Sequence, residues 1–66
     1  MSLYFLEVVT TTGVRLINLN YIVEVQPDNM LPAIQSIITF ADGGYAIVLH
    51  PYNELINDIA VVSENP

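Results

Sequence analysis

Cysteine is absent from the chain, and histidine occurs only once, as His50. The lack of cysteine excludes disulfide bridges and thiolate metal sites, and one histidine is too few for a transition-metal site within a single chain. Small domains usually need such supports or an oligomeric partner, because a chain of this size buries only about 60% of its surface on folding. We therefore expect either an efficient core or assembly with another chain.

Basic residues are almost absent as well. Arg15 is the only one, against seven acidic residues, so the net charge is −6. Proteins that bind nucleic acid rely on clustered Lys and Arg side chains, and this chain supplies no such cluster. A nucleic-acid-binding regulator is therefore an alternative that the acidity disfavours. The acidic excess either steers the chain toward a basic partner or keeps an apolar small protein soluble.

Long apolar runs are also missing. No stretch approaches the roughly 18 uncharged apolar residues of a membrane-spanning helix, and the apolar N-terminal stretch lacks the basic residues of a signal peptide. With 53% apolar residues, the composition is too hydrophobic for a disordered chain. We expect a single β-rich domain over residues 1–66, without membrane insertion, in the cytoplasm or, if a phage encodes it, associated with a virion.

The first strand pattern lies at the N-terminus. Residues 3–12 are rich in aromatic and β-branched side chains, which favour strands. Both faces of this strand are largely apolar, whereas a strand with one wet face alternates more cleanly. The face that carries Leu3, Phe5 and Val9 is therefore a candidate partner-binding surface, covered by another subunit or by a larger assembly.

Further strand patterns follow. Gly13 marks a turn before a strand over residues 14–19, and Asn18 and Asn20 mark a turn before a short strand over residues 22–26. Two apolar, β-branched runs then flank an Asp-Gly-Gly segment at 42–44, a strong hairpin signal because a type I′ turn needs positive φ at both central residues. The predicted fold class is mainly β (α+β): a small antiparallel meander of four to five strands with one C-terminal amphipathic helix.

The segment 27–35 has the least regular pattern. Pro27 and Pro32, together with Asp and Asn residues, disfavour regular structure. Met30 and Leu31 nevertheless lie in it, and exposed apolar loop residues often mark contact sites. These two residues either contact a partner or pack back over the core, and both interpretations stay open.

The C-terminal pattern is helical over about residues 51–60. Apolar residues recur there at the i, i+3, i+4, i+7 spacing, and polar residues cover the opposite side. His50 with Glu54 or Asp58 resembles an acid–base pair, but the two carboxylates belong to the solvated side of the helix. We interpret His50 as a hydrogen-bonding residue at the helix entry, and residues 61–66 as a polar tail.

Three stretches carry a family resemblance: residues 13–28 (GVRLINLNYIVEVQPD), 37–49 (IITFADGGYAIVL) and 54–59 (ELINDI). Their Leu-Asn, Pro-Asp, I-T-F strand, Asp-Gly turn and Glu-initiated helix resemble the short flagellar FlbD (SwrD) family. The resemblance implies a small β-rich fold and an accessory or regulatory protein that acts by contact and is not an enzyme. It implies no site residues. The chain is also similar to short β-rich proteins of bacteriophages.

Together these patterns favour a non-enzymatic protein–protein interaction module, accessory or regulatory, that forms a homo-oligomer or joins a larger protein assembly. The alternative is a phage-encoded virion component or an inhibitor of a host factor, which needs the same fold. The sequence predicts no catalytic residue, no metal site, no cofactor and no small-molecule substrate. The candidate partner-binding residues are Leu3, Phe5, Val9, Met30 and Leu31.

Overall fold

The computed structural model describes residues 4–64. Five antiparallel strands form one sheet, and an α-helix follows at the C-terminal end. The elements are β1 (Phe5–Thr10), β2 (Gly13–Asn18), β3 (Ile22–Pro27), β4 (Ser36–Phe40), β5 (Tyr45–Val48) and α1 (Tyr52–Glu64), with a short 3-10 helix, Leu19–Tyr21, between β2 and β3. The predicted mainly β fold with one C-terminal helix is confirmed. Within residues 4–64, α1 falls short of what a helix needs in length and apolarity to cross a membrane.

The order of the strands forces the sheet to curl. The order is β2-β1-β5-β4-β3, so β2 and β3 stand at opposite edges although only the three residues Leu19–Tyr21 connect them. In a flat sheet the two edges would be about 19 Å apart, whereas a 3-10 helix rises only about 2 Å per residue. The sheet therefore bends into a partly open barrel, and this connection is where the fold departs from a simple meander.

The inner side of the curled sheet holds the core. One residue from each of β1, β2, β4, β5 and α1 contributes to the fully buried cluster: Val8, Ile17, Ile38, Val48 and Leu55. Ile17 belongs to an edge strand, yet only 4% of it is exposed. An edge residue reaches that burial because the curled sheet and the helix close over it.

The helix α1 contributes a narrow apolar stripe to this core. Leu55 is buried and Ile59 is half-buried, whereas Ile56, at the edge of the stripe, is 37% exposed. The helix ends at Glu64, four residues beyond the predicted end, because the Ala-Val-Val segment at 60–62 contains no helix breaker. The predicted polar tail is thus helical as far as Glu64, and residues 65–66 lie outside the described part of the chain.

The predicted β4–β5 hairpin is present, but its turn is not of type I′. The Gly43 N–H donates to the Phe40 carbonyl at 3.0 Å, and the Phe40 N–H donates to the Gly44 carbonyl at 2.8 Å. Gly43 has a φ of 90°, and no described residue other than glycine has a positive φ. This pattern fits a three-residue loop with a left-handed third residue. Asp42 favours it, because its Oδ1 accepts the Gly44 N–H at 2.8 Å without needing a positive φ itself.

Two polar side chains end strands as their positions predict. Asn18 Oδ1 accepts the Asn20 N–H at 2.9 Å and begins the 3-10 helix. Asp28 Oδ1 accepts the N–H groups of Met30 and Leu31, at 2.7 Å and 3.2 Å. Both are short side-chain-to-backbone bonds that turn the chain out of a strand.

Candidate functional site

The outer side of the β1–β2 hairpin, opposite the core, carries four apolar residues: Phe5, Val9, Val14 and Leu16. We call these four residues the hairpin face. Successive side chains of a strand point to opposite sides, so these residues alternate with the buried residues of the same two strands. In the register, Val9 lies directly opposite Val14, which brings their side chains within contact distance.

The hairpin face is open to solvent. The exposed fraction is 44% for Phe5, 42% for Val9, 64% for Val14 and 66% for Leu16. The helix packs against the core on the other side of the sheet. Single exposed apolar residues are common, but neighbouring ones on two paired strands form a patch of the kind that marks contact surfaces.

The charge of this side of the hairpin is negative. Glu7 is exposed and points to the same side of β1 as Phe5 and Val9, between which it lies. On the neighbouring strand β2, its partner in the register is Leu16. Arg15, the only basic residue, pairs with the buried Val8 and therefore points to the opposite side of β2. Among the described residues, the outer side of the hairpin thus combines the apolar hairpin face with one carboxylate, Glu7, and no cation.

The apolar surface continues from β1 onto β5. The Leu49 N–H donates to the Val9 carbonyl at 2.7 Å, and Leu49 is 41% exposed directly beside the hairpin face. Tyr45, at the start of β5, is 67% exposed and alternates with the buried Ala46 and Val48. The β1–β2 hairpin and the neighbouring segment 45–49 therefore present apolar side chains to the same outer side of the sheet.

The loop between β3 and β4 exposes a second pair of apolar residues. Met30 is 86% exposed and Leu31 is 47% exposed. The side chain of Met30 therefore does not pack back over the core. In the order of the sheet, β5 and β4 lie between β1 and β3. The predicted partner-binding residues therefore divide into Phe5 and Val9 on the hairpin face and Met30 and Leu31 in this loop, while Leu3 lies outside the described residues.

Two open clefts of about 250 Å³ each lie beside β2. One is lined by Arg15, Tyr21, Phe40 and Asp42 among others, and the other follows the β1–β2 turn and β5. Neither lining includes histidine, cysteine or serine. Both clefts offer room for a ligand: the first presents the carboxylate of Asp42, and the second is lined by three threonines at positions 10–12.

His50 completes the hydrogen bonding between β1 and β5. Its Nε2 accepts the Val9 N–H at 3.3 Å. This bond follows directly after the backbone hydrogen bond from the Leu49 N–H to the Val9 carbonyl. Its carbonyl accepts the hydroxyl of the fully buried Ser36 at 2.8 Å. The imidazole thus accepts the hydrogen bond that a backbone carbonyl of the next strand residue would accept, at the point where the chain leaves the sheet for α1. This is the hydrogen-bonding role at the helix entry that the sequence predicts for His50.

His50 also stands near two carboxylates, which raises the question of a metal ion. The possible ligand atoms of His50, Glu54 and Asp58 lie within 4.8 Å of one another, and His50 Nδ1 is 3.7 Å from Glu54 Oε1. Because Nε2 accepts a hydrogen bond from Val9, the neutral ring is assigned its proton on Nδ1, the nitrogen that faces the carboxylates. A metal-bound histidine instead donates its other N–H to an acceptor. The geometry suits a hydrogen-bonded helix entry better than a metal site.

Replacing His50 with alanine is expected to lower the free energy of unfolding by about 1 kcal/mol, because the Val9 N–H loses its acceptor. Denaturant titration measures this loss, and faster hydrogen exchange at the Val9 amide locates it. Glu54→Gln is the control: its side chain is 60% exposed, so the change should be below about 0.5 kcal/mol. Equal losses in the two variants would assign the effect to the His50–Glu54 contact instead.

The sequence pattern did not single out two of the four residues of the hairpin face. Val14 and Leu16 alternate with Arg15 and Ile17, and the pattern alone does not tell which pair faces the core. The burial of Ile17 decides it, because the side chains of Val14 and Leu16 must then point outward.

Compared with known protein families, with curated proteins and with solved structures, the chain matches none. The resemblance to the flagellar FlbD (SwrD) family therefore stays a prediction.

Proposed function

We propose that this chain is a non-enzymatic interaction module that docks through the hairpin face onto a protein whose contact surface is apolar and carries a basic residue. The observation that carries this proposal is the exposure of Phe5, Val9, Val14 and Leu16 on two paired strands, which no element within residues 4–64 covers. An accessory or regulatory role by contact, which the family resemblance also implies, needs no more than such a surface.

The apolar part of the surface supplies the driving force. Burying a side chain of the size of valine, leucine or phenylalanine contributes about 1.5–3 kcal/mol relative to leaving it exposed. Four such residues in one patch are enough for the centre of a small interface, once the cost of association is subtracted.

The charges define the sign of the partner's surface. The chain carries a net charge of −6; Glu7 lies between Phe5 and Val9 and opposite Leu16, and Arg15 points to the other side. A partner with a basic residue facing Glu7 among its apolar side chains gains attraction, whereas an acidic partner is repelled. Since Glu7 is exposed in the free chain, raising the salt concentration should weaken binding.

Site-specific photo-crosslinking in the producing cell tests the proposal. Benzophenone side chains at positions 5 and 9 are expected to crosslink the same protein, identified by mass spectrometry. The same group at Val61, which is 57% exposed on α1, is the control and should not crosslink it. With the identified partner purified, Val9→Lys is expected to weaken binding by about tenfold or more. Equal crosslinking from Val61, or none from positions 5 and 9, would contradict the proposal.

A further inference from the structure

We propose that the open edge of β2 pairs in antiparallel fashion with β2 of a second copy of this chain, joining two sheets into one. In the described residues, β2 is hydrogen-bonded to β1 along one edge and stands at the end of the sheet; its other edge borders the open cleft that Tyr21, Phe40 and Asp42 also line. In the dimer, two hairpin faces would lie side by side and could contact the same partner. In this respect the inference deepens the proposed function and rests on it.

The backbone groups on this edge follow from the hairpin register. The Leu19 N–H donates to the Tyr4 carbonyl at 2.9 Å, which marks a hydrogen-bonded pair of β1 and β2. Hydrogen-bonded and non-hydrogen-bonded pairs alternate along an antiparallel ladder. The N–H and C=O groups of Val14, Leu16 and Asn18 therefore point away from β1, toward the open edge.

The two edges of the sheet differ in how they are protected. The edge strand β3 has a register shift between Ile22 and Glu24, a carboxylate at Glu24, and a proline without an N–H at Pro27. Bulges, charges and prolines are the usual means by which a protein blocks pairing at an edge. The six residues of β2 contain neither a bulge nor a proline, and their one charge is Arg15 on the core side, so this edge is the less protected of the two.

A two-fold axis at Leu16 gives a self-complementary register. Leu16 then lies opposite Leu16 of the second copy, and Val14 lies opposite Asn18 of the second copy. On the other side of the strands, Arg15 lies opposite Ile17 of the second copy, so no two like charges face each other directly. Such a contact is isologous and closes at two subunits, and it makes the two hairpin faces continuous across the junction.

The distribution of charge permits this contact despite the net charge of −6. None of the seven carboxylates belongs to β2, whose only charged residue is Arg15. The carboxylate nearest to the junction on the hairpin side is Glu7, which pairs with Leu16 from β1. The two Glu7 residues of the dimer would be three strand spacings apart, about 14 Å, which exceeds the screening length of about 8 Å at physiological salt.

Disulfide trapping tests the register. The chain contains no cysteine, so Leu16→Cys introduces one unique thiol. At the two-fold axis the Cα atoms would be about 5.5 Å apart, within the range of a disulfide. Under a mild oxidant in dilute solution, Leu16→Cys is expected to form covalent dimers at least about tenfold faster than Val23→Cys. Val23 is 67% exposed against 66% for Leu16, so equal rates would overturn the pairing.

Sedimentation provides a second, independent measurement. The unsubstituted chain is expected to sediment as a dimer at micromolar concentration, and Leu16→Pro as a monomer. Proline removes an N–H that points outward, so the bonds to β1 are retained, and circular dichroism verifies the fold. A dimer that persists in Leu16→Pro, or a monomer at every concentration in the unsubstituted chain, would overturn the inference.

The two proposals fail in distinguishable ways. Crosslinks from the hairpin face to a different protein, together with equal disulfide rates at positions 16 and 23, would leave the docking function standing and remove the β2 pairing. Rapid disulfide formation at position 16 without any crosslinked partner at positions 5 and 9 would establish the dimer and remove the docking function.

Discussion

Replacing Leu55 with alanine is expected to unfold most of the protein at room temperature. Leu55 is 1% exposed and is the residue by which α1 enters the fully buried core. Truncating a buried leucine to alanine costs about 2–5 kcal/mol, depending on how far the cavity collapses. A single core in a domain of this size supplies only about 3–5 kcal/mol of net stability, so the loss consumes most of it.

Urea titration of the variant, followed by circular dichroism, measures this effect. Ile56→Ala is the matched control, because Ile56 is the next residue of the same helix and is 37% exposed. The free energy of unfolding of Ile56→Ala should fall by less than about 1.5 kcal/mol, since much of the Ile56 side chain is already in contact with water. Similar losses in the two variants would mean that α1 does not pack through Leu55.

The elements of this fold that the sequence predicts well are the local ones. Apolar residues recur along α1 every three to four positions, so the apolar stripe is visible in a short stretch of sequence. Its most buried residue, Leu55, lies on the predicted apolar side. The β4–β5 hairpin is joined by a three-residue loop, so its presence follows from nearby residues. Its turn type was wrong because the Asp42 side chain satisfies the Gly44 N–H in a way that the Asp-Gly pair alone does not specify.

The elements that the sequence does not predict depend on distant contacts. The placement of β5 beside β1 involves residues about forty positions apart in the chain, and no local period records it. The hydroxyl of Ser36 is a similar case. Its residue is fully buried, and the hydroxyl donates to the His50 carbonyl fourteen residues away, whereas serine is usually exposed. Only the assembled sheet shows that this position has a partner.

The candidate site was predictable in kind but not in extent. An apolar pattern on both faces of β1 predicts an outer apolar side that a partner covers, and Phe5 and Val9 are exposed on that side. The contribution of β2 was missed, because Val14 and Leu16 are separated by a charged residue, Arg15. A charged residue in that position suggests a wet side of the strand, yet Arg15 shares its side with the buried Ile17.

Replacing Ile17 with alanine tests the curl of the sheet and is expected to cost about 2–4 kcal/mol. In a flat five-stranded sheet, a residue on the edge strand β2 would be covered from one direction only. Ile17 is instead 4% exposed and belongs to the same cluster as Ile38 of β4 and Leu55 of α1. The large expected loss follows because the three-residue connection to β3 pulls the edge around the core.

Leu16→Ala is the control for this measurement, because Leu16 is the preceding residue of the same strand but is 66% exposed. At protein concentrations where sedimentation shows single chains, its loss should be below about 1 kcal/mol. A small loss in Ile17→Ala, close to that of Leu16→Ala, would indicate that β2 lies flat at the edge and that the barrel is open there. A large difference between two adjacent residues requires that the edge strand be closed over from its inner side, which is the geometry that leaves the hairpin face free on the outer side.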